Sequence, residues 1–177
     1  MKKCLSIIIA VLMLFSVCPM LFACGATGST SGGSNGGGGG GVSSESQKME
    51  KIQEFYDIVS ETQELLDIVA DDIYSYWYGA IYKDKYFGSI DLAILAAQDD
   101  NEENLAKIET NTETIKSLYS QIKDSSLGTE IKAVMQAYNA YYSLVVEVSG
   151  SFNTYSSEKE SLKKDLSNAL KNLSIEL

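Results

Sequence analysis

IQEFYDIVSETQELLDIVADDIYSYWYGA, residues 52–80, decides the fold. Ile52, Phe55, Val59, Thr62, Leu66, Val69, Ile73, Tyr76 and Ala80 step through it by alternating threes and fours. That interval returns side chains to one face of a helix and is the seam spacing of a bundle. Thr62 is its only weak member. Asp57, Glu64 and Asp71 fall at the outermost position of the same repeat, so one face is built for a core and the opposite face for water. Upstream, Ser44 with Gln47 three residues later forms a capping box that satisfies otherwise unpaired backbone N–H groups, and the helix is predicted to start there.

Working outward toward the C-terminus, Lys83 to Gly88 breaks the pattern, and Ser89 with Asp91 starts a second helix, the acid complementing its dipole. Its seam is Ile90, Ile94, Ala97, Asn101, Leu105, Ile108, Thr112, Ile115, Tyr119 and Ile122, with one four-four step that reads as a stutter. Asp100 with Glu103 offers a cap for a restarted helix, which would split this element in two. After the turn Leu127-Gly128-Thr129, the positions Ile131, Val134, Tyr138, Tyr141, Val145, Val148, Phe152, Tyr155, Lys159, Leu162, Leu166, Ala169 and Leu173 keep strict phase. Phase retained across Gly150, at an outermost position, favours one continuous helix. The helix-poor stretch from Ser149 to Ser157, with Ser157 and Glu160 as a capping box, would instead start a fourth.

The expectation is therefore all-α: an elongated antiparallel three-helix bundle, or four helices if the last breaks near Gly150. At 1.5 Å per residue the three helices would be roughly 58, 52 and 70 Å long. Short connections force antiparallel neighbours. The third helix then overhangs the first hairpin, and Leu162, Leu166, Leu170, Leu173 and Leu177 must cap the hairpin tip or meet another chain.

Working outward toward the N-terminus, composition changes. Residues 25–44 hold ten of the fourteen glycines, including Gly36 to Gly41, mixed with Ser, Thr and Asn. Such a tract cannot bury enough apolar surface to offset its ordering entropy, and it reads as a tether with a root-mean-square reach of about 25 Å. Before it stand Met1-Lys2-Lys3 and an apolar run from Leu5 to Ala23, the charged and greasy regions of an export signal. The run is also about long enough to be a permanent transmembrane helix, against which Pro19 counts. It ends in Leu21-Phe22-Ala23-Cys24.

Those four residues resemble the lipobox of bacterial lipoprotein precursors, with a branched aliphatic at −3, a small residue at −1 and the cysteine at +1; Phe22 is bulkier than that family usually carries. The resemblance covers residues 1–24 and implies that Cys24 receives a diacylglycerol, that cleavage precedes it, and that the chain is held at the extracytoplasmic face of the cell membrane. It divides the chain into a signal peptide (1–23), a lipidated Cys24 with flexible linker (24–44) and a helical body (45–177). Cys4 and Cys18 would leave with the leader, so no thiol would remain for a disulfide, redox couple or metal.

Function classes fall away on composition. The 177 residues carry 14 Lys and no Arg against 24 Asp plus Glu, with no His and a formal charge of −10. Without His there is no imidazole base, no Ser-His or Cys-His pair and no His metal ligand, which also excludes a Glu-x-x-His di-iron bundle. Phosphate-backbone binding needs clustered basic side chains, so no nucleic-acid partner is expected. The acidic balance also keeps the body off anionic lipid. Asp71-Asp72 and Asp99 to Glu103 lack the Gly-containing loop of an EF-hand and read as solvated faces or caps. Ser120-Gln121-Ile122-Lys123 and Ser161-Leu162-Lys163-Lys164 match the Ser-x-x-Lys of penicillin-binding enzymes, and Ser151-Phe152-Asn153 resembles their second element, but Lys-Thr-Gly is absent and no sheet is expected. No catalytic residue, metal or cofactor is predicted.

What remains is aromatic. Tyr74, Tyr76, Trp77, Tyr78, Tyr82, Tyr86 and Phe87 place seven aromatics in fourteen residues. Helical phase turns Tyr76 and Trp77 to the seam and lines up Tyr74, Tyr78 and Tyr82 at i, i+4, i+8 on another face. The leucines of the overhanging helix could cover them as ordinary core. Left uncovered, Tyr74, Trp77, Tyr78, Tyr82 and Tyr86 form a recognition surface for a surface protein or a second copy, or a module for an aromatic, wall or sugar fragment. The two differ in shape: a ligand module needs an enclosed pocket with convergent polar groups, a partner surface does not.

Overall fold

The computed structural model describes residues 44–177; the leader, Cys24 and the glycine tract lie outside the described residues. Among the described residues every regular element is helical: α1 (Ser44–Tyr82), a 3-10 turn (Lys85–Gly88), α2 (Ile90–Asp100), α3 (Glu102–Ile122), α4 (Gly128–Val146) and α5 (Phe152–Glu176). The all-α class is as predicted. None of these helices is long and apolar enough to cross a membrane.

The residues of the opening seam bury as their spacing requires. Ile52, Phe55, Val59, Leu66, Val69 and Ile73 are at or near zero exposure, and Thr62 joins them by donating its hydroxyl to the carbonyl of Ile58 at 2.6 Å. That back-bond is how a polar side chain is tolerated inside an apolar stripe. Ala70 and Trp77 widen the stripe, as the 3.6-residue period requires over so long a helix.

Cross-links between helices fix their directions. Lys51 Nζ meets Gln121 Oε1 at 2.7 Å, Asn111 Nδ2 donates to Thr62 Oγ1 at 3.0 Å, and Asn101 Nδ2 donates to Asp72 Oδ2 at 2.8 Å, so α3 and α2 run antiparallel to α1. Gln63 Nε2 donates to Ser167 Oγ at 2.7 Å and Lys163 pairs with Asp67 at 2.9 Å, so α5 is antiparallel to α1 on another side. Tyr141 of α4 donates to Asp67 Oδ1 at 2.7 Å, and Tyr138 shares a 2.5 Å hydrogen bond with Thr112 of α3. Helix α1 is thus in contact with all the others.

Both breaks in the later helices carry lessons. The second element does split, at Asn101, although neither the Asp100 side chain nor that of Asn101 caps α3. Asn101 is buried and donates inward, to Asp72 and to the Ala97 carbonyl. The continuous third helix is corrected, and the break near Gly150 that the sequence offered as the alternative is the one found: α4 ends at Val146 and α5 begins at Phe152. Ser151, not Ser157, caps α5, accepting from the Thr154 N–H at 3.2 Å. Gly150 sits in the turn at φ +87, a conformation L side chains rarely adopt. The phase persists because α4 and α5 both bury toward the same core, so a chain reversal and a continuous helix leave the same apolar pattern. The overhang disappears with the reversal: Leu166, Leu170 and Leu173 pack inside the core instead of capping the tip. At the α3–α4 turn, a Cβ on Gly128 would come within 2.4 Å of the Lys123 carbonyl oxygen, so only glycine fits there.

Candidate functional site

The aromatic segment ends α1, and the structure divides its members into two groups. In the first, Phe152 at the start of α5 is the hub. Its ring lies 5.1 Å from Tyr74, 6.0 Å from Trp77, 6.2 Å from Tyr78 and 6.0 Å from Tyr82. The row Tyr74, Tyr78, Tyr82 stacks on itself as the helix repeat predicts, with centroids 6.3 and 4.7 Å apart. Trp77 is 3% exposed and packs on Tyr155 at 5.6 Å. Its indole N–H is buried and meets no acceptor. In the second group, Tyr86 stacks on Tyr76 at 5.3 Å, away from Phe152, and the Tyr76 hydroxyl donates to Asp100. That hydrogen bond raises the Tyr76 pKa to about 12, with burial and the Asp100 charge adding to it. Tyr76, predicted for the seam, is therefore half-buried at its edge.

Cover for the tyrosines comes from Phe152, not from the leucines near the C-terminus, and it is incomplete. Tyr74 is half-buried, whereas Tyr78 and Tyr82 are exposed. Sequence reasoning placed Phe152 in the seam of one long helix, with a break starting at Ser157 as the alternative, and in neither case at the head of a helix that returns onto α1. The usable signal was Ser151-Phe152-Asn153-Thr154, a cap residue followed by a first helical turn.

Below the aromatics lies a polar layer. Lys159, 8% exposed, pairs with Asp71 and with Glu160 at 3.1 Å, and its ammonium stands 5.1 Å from the Tyr74 ring. Burial alone would lower its pKa; the hydrogen bonds to Asp71 and Glu160 outweigh that and the net direction is up. Burial, then the bond to Asp67, push the Tyr141 hydroxyl far above its ordinary value. Burial likewise lifts Tyr155, whose hydroxyl donates to the Ala70 carbonyl at 3.3 Å. Of the acids in the two sequence clusters, Asp71 is engaged by Lys159, Asp72 by Asn101 and Asp100 by Tyr76, while Asp99, Glu102 and Glu103 face solvent. Among the described residues no three acidic or thiol side chains converge on a metal position.

The connection from α1 to α2 is unusual. The 3-10 turn contains Tyr86 and Phe87, both at φ 54, between Asp84 at φ 50 and Gly88 at φ 68. Positive φ is uncommon for any residue with a Cβ and rare for a bulky one. Phe87 is 97% exposed at the end of this turn. The surroundings are also apolar: of the eleven exposed large hydrophobic residues among those described, seven fall between Tyr78 and Leu95. Helix α2 turns only Ala93 and Ala97 fully inward and leaves Leu92 and Leu95 outside at 49% and 53%. Ile90, predicted for the seam, is exposed as well.

Four surface grooves of similar size, 340–380 Å³, lie elsewhere, for example between Ala140, Leu144, Glu158 and Leu162, and none is lined by Trp77 or by Tyr74, Tyr78, Tyr82 or Tyr86. No protein-family model, no curated protein and no solved structure matches this chain.

Proposed function

We propose that this chain is a lipid-anchored, extracytoplasmic lipoprotein with no catalytic role, whose helical body serves protein recognition at the cell surface. The recognising part is the end of the body formed by the α1 C-terminus, the 3-10 turn and α2. One observation carries the reading: the concentration of exposed apolar side chains at that end, in a chain of net charge −10. Large exposed patches on otherwise polar proteins mark interaction sites, and aromatic side chains supply much of the contact energy in such sites. The strained turn adds support, since backbone held at positive φ costs of order 1–3 kcal/mol per residue and here projects Phe87 into solvent.

The body reads as four rods running up, down, up and down, the second of them broken at Asn101. Helix α1 spans about 58 Å at 1.5 Å per residue, so its aromatic end stands that far from Ser44, where the tether from Cys24 would enter. A lipid on Cys24 would hold the chain to the membrane and leave this end free to meet a partner. Durable anchoring takes two signals, and a diacylglycerol would supply them as two acyl chains.

A small-ligand reading has one observation in its favour, the unpartnered indole N–H of Trp77. The exposed side chains of this end suit a protein partner better, and no groove described contains that tryptophan.

Two measurements test the proposal. Metabolic labelling with a palmitate analogue should mark the wild-type chain and not Cys24→Ala, and Cys24→Ala should leave the envelope fraction. Pull-down from surface extracts should lose its specific partner when Tyr82 and Phe87 are both changed to Ser, with the melting temperature unchanged. An unlabelled wild-type chain, or a partner indifferent to the double change, would refute the corresponding half.

A further inference from the structure

The turn between α4 and α5 keeps a register that a turn does not require. Two helices facing one core account for an apolar stripe in each, but a hairpin sets no rule for the number of residues between the stripes. Here Val145, Val148, Phe152 and Tyr155 carry the three-four spacing straight through residues 147–151, and Val148 within the turn packs against the core. No proline stands between Gly128 and Glu176, so helical backbone is open to the whole stretch. With 147–151 helical, α4 and α5 would form one helix of roughly 74 Å with an unbroken apolar stripe. Little holds the turn closed. Glu147, Ser149, Gly150 and Ser151 are exposed, and no hydrogen bond ties Val148, Ser149 or Gly150 to another described residue. Helix α5 itself packs on α1 and α4 alone among the described elements. It is held there by Ser167 on Gln63, Lys163 on Asp67, Lys159 on Asp71 and Phe152 on the tyrosine row. None of these contacts requires α4 and α5 to belong to the same copy.

We propose that α5 exchanges between two copies of the chain: the turn opens into helix, and α5 of each copy takes the place of the other's on α1 and α4. The contacts themselves name the occupant. The site that α5 leaves matches α5 in shape and in each polar pair, so a second copy refills it without a new interface, the low-cost route to a dimer. Helix α4 runs toward the aromatic end of the body, so a straight α4–α5 helix carries α5 past that end and the two copies meet by their aromatic ends. Opposing forces set the balance. The pair gives up the independent motion of two chains and places Gly150 inside a helix, whereas the closed chain holds that residue at φ +87. The closed chain is favoured in dilute solution and the exchanged pair gains as chain concentration rises. This inference deepens the recognition reading by naming a second copy as a partner of the aromatic end, and rests on that reading only there; exchange itself needs neither the lipid on Cys24 nor another protein.

The test puts one thiol on each side of the α1–α5 contact. Full-length chains in which Cys4, Cys18 and Cys24 are all changed to Ala carry either Gln63→Cys or Ser167→Cys, are expressed together under different tags, and are treated with a short thiol-to-thiol cross-linker. The two side chains meet at 2.7 Å, so they join separate chains only where α5 of one copy lies on α1 of the other. The mixed pair should cross-link well above either chain with itself, and a chain carrying both changes should also cross-link within itself. Gly150→Ala strains the closed turn and favours the helix, and should raise the mixed product roughly threefold or more. Inserting Gly-Gly-Ser after Ser149 relaxes the turn and interrupts the helix, and should lower it by a similar factor. A mixed pair that joins no better than the self-pairs while the doubly changed chain cross-links within itself, or a mixed product indifferent to Gly150→Ala and to the insertion, would overturn the proposal. Capture of a surface protein that still depends on Tyr82 and Phe87 when the mixed pair fails would leave the recognition reading standing and remove this one.

Discussion

Helix α1 treats its two halves differently. From Ile52 to Ile73 each large apolar seam residue is buried against α3, α4 or α5, and acids hold the outer face. Beyond Tyr76 the rule loosens: Trp77 and Ala80 are buried, yet Tyr78, Ile81 and Tyr82 are exposed on the same few turns, and α2 opposite them turns alanines inward and leucines outward. The first half uses apolar side chains to build a core, whereas the second displays them. The same residue types therefore carry different energies at the two ends, and that difference can be measured.

The largest expected contrast lies in the core half. Leu66 is fully buried, so Leu66→Ala should cost about 2–5 kcal/mol through lost transfer energy and the cavity left behind. A urea titration with unchanged slope and a shifted midpoint would register it. A cost under 1 kcal/mol would mean that this half is no better packed than the tip.

A second effect, on the order of 2 kcal/mol, belongs to the buried hydroxyls. Burial raises the Tyr138 pKa to about 12, partly offset by its bond to Thr112. In the unfolded chain this group loses its proton near pH 10. The folded state then binds more protons than the unfolded state above that pH, so the contribution of Tyr138 is complete below pH 10 and is lost as pH rises to about 12. Tyr138→Phe should make the decline across that window shallower, leaving the part due to Tyr76, Tyr141 and Tyr155, read by chemical denaturation at a series of pH values.

How much of this was legible in the sequence is best judged at the two helix breaks. At Asn101 the sequence offered Asp100 with Glu103 as the cap of a restarted helix, and the split occurs there although that cap is not used. At 147–151 the spacing argued for continuity, while the helix-poor stretch from Ser149 pointed to the break that occurs. Positions before and after the turn both face the core, so periodicity carries no record of the chain reversing direction. The site suffered in consequence: Tyr74, Tyr78 and Tyr82 were visible as a row and Trp77 as their seam neighbour, but Phe152, which holds all four together, reaches them only because of that reversal. Nor could spacing reveal that Tyr86 and Phe87 adopt positive φ, since only Gly88 in that turn is a residue that favours it.

Gly150 converts that difference into a measurement whose sign decides. In a continuous helix, Gly150→Ala would stabilise by about 1 kcal/mol, the difference in helix propensity. With φ at +87 the added Cβ meets no neighbour but imposes a conformation that L residues avoid, and the substitution should instead destabilise by about 1–2 kcal/mol. Thermal melts of the two chains would show which, and a rise in melting temperature would restore the single long helix.

The smallest effect is the most informative about the tip. Leu95 is the same residue type as Leu66 and also sits on a helix, but it is 53% exposed with its stripe uncovered. Leu95→Ser should therefore change the unfolding free energy of the isolated chain by no more than about 0.5 kcal/mol, as surface substitutions do. Urea midpoints for the wild type and the variant should agree within that margin. A loss above about 1 kcal/mol would mean that Leu95 belongs to the core after all.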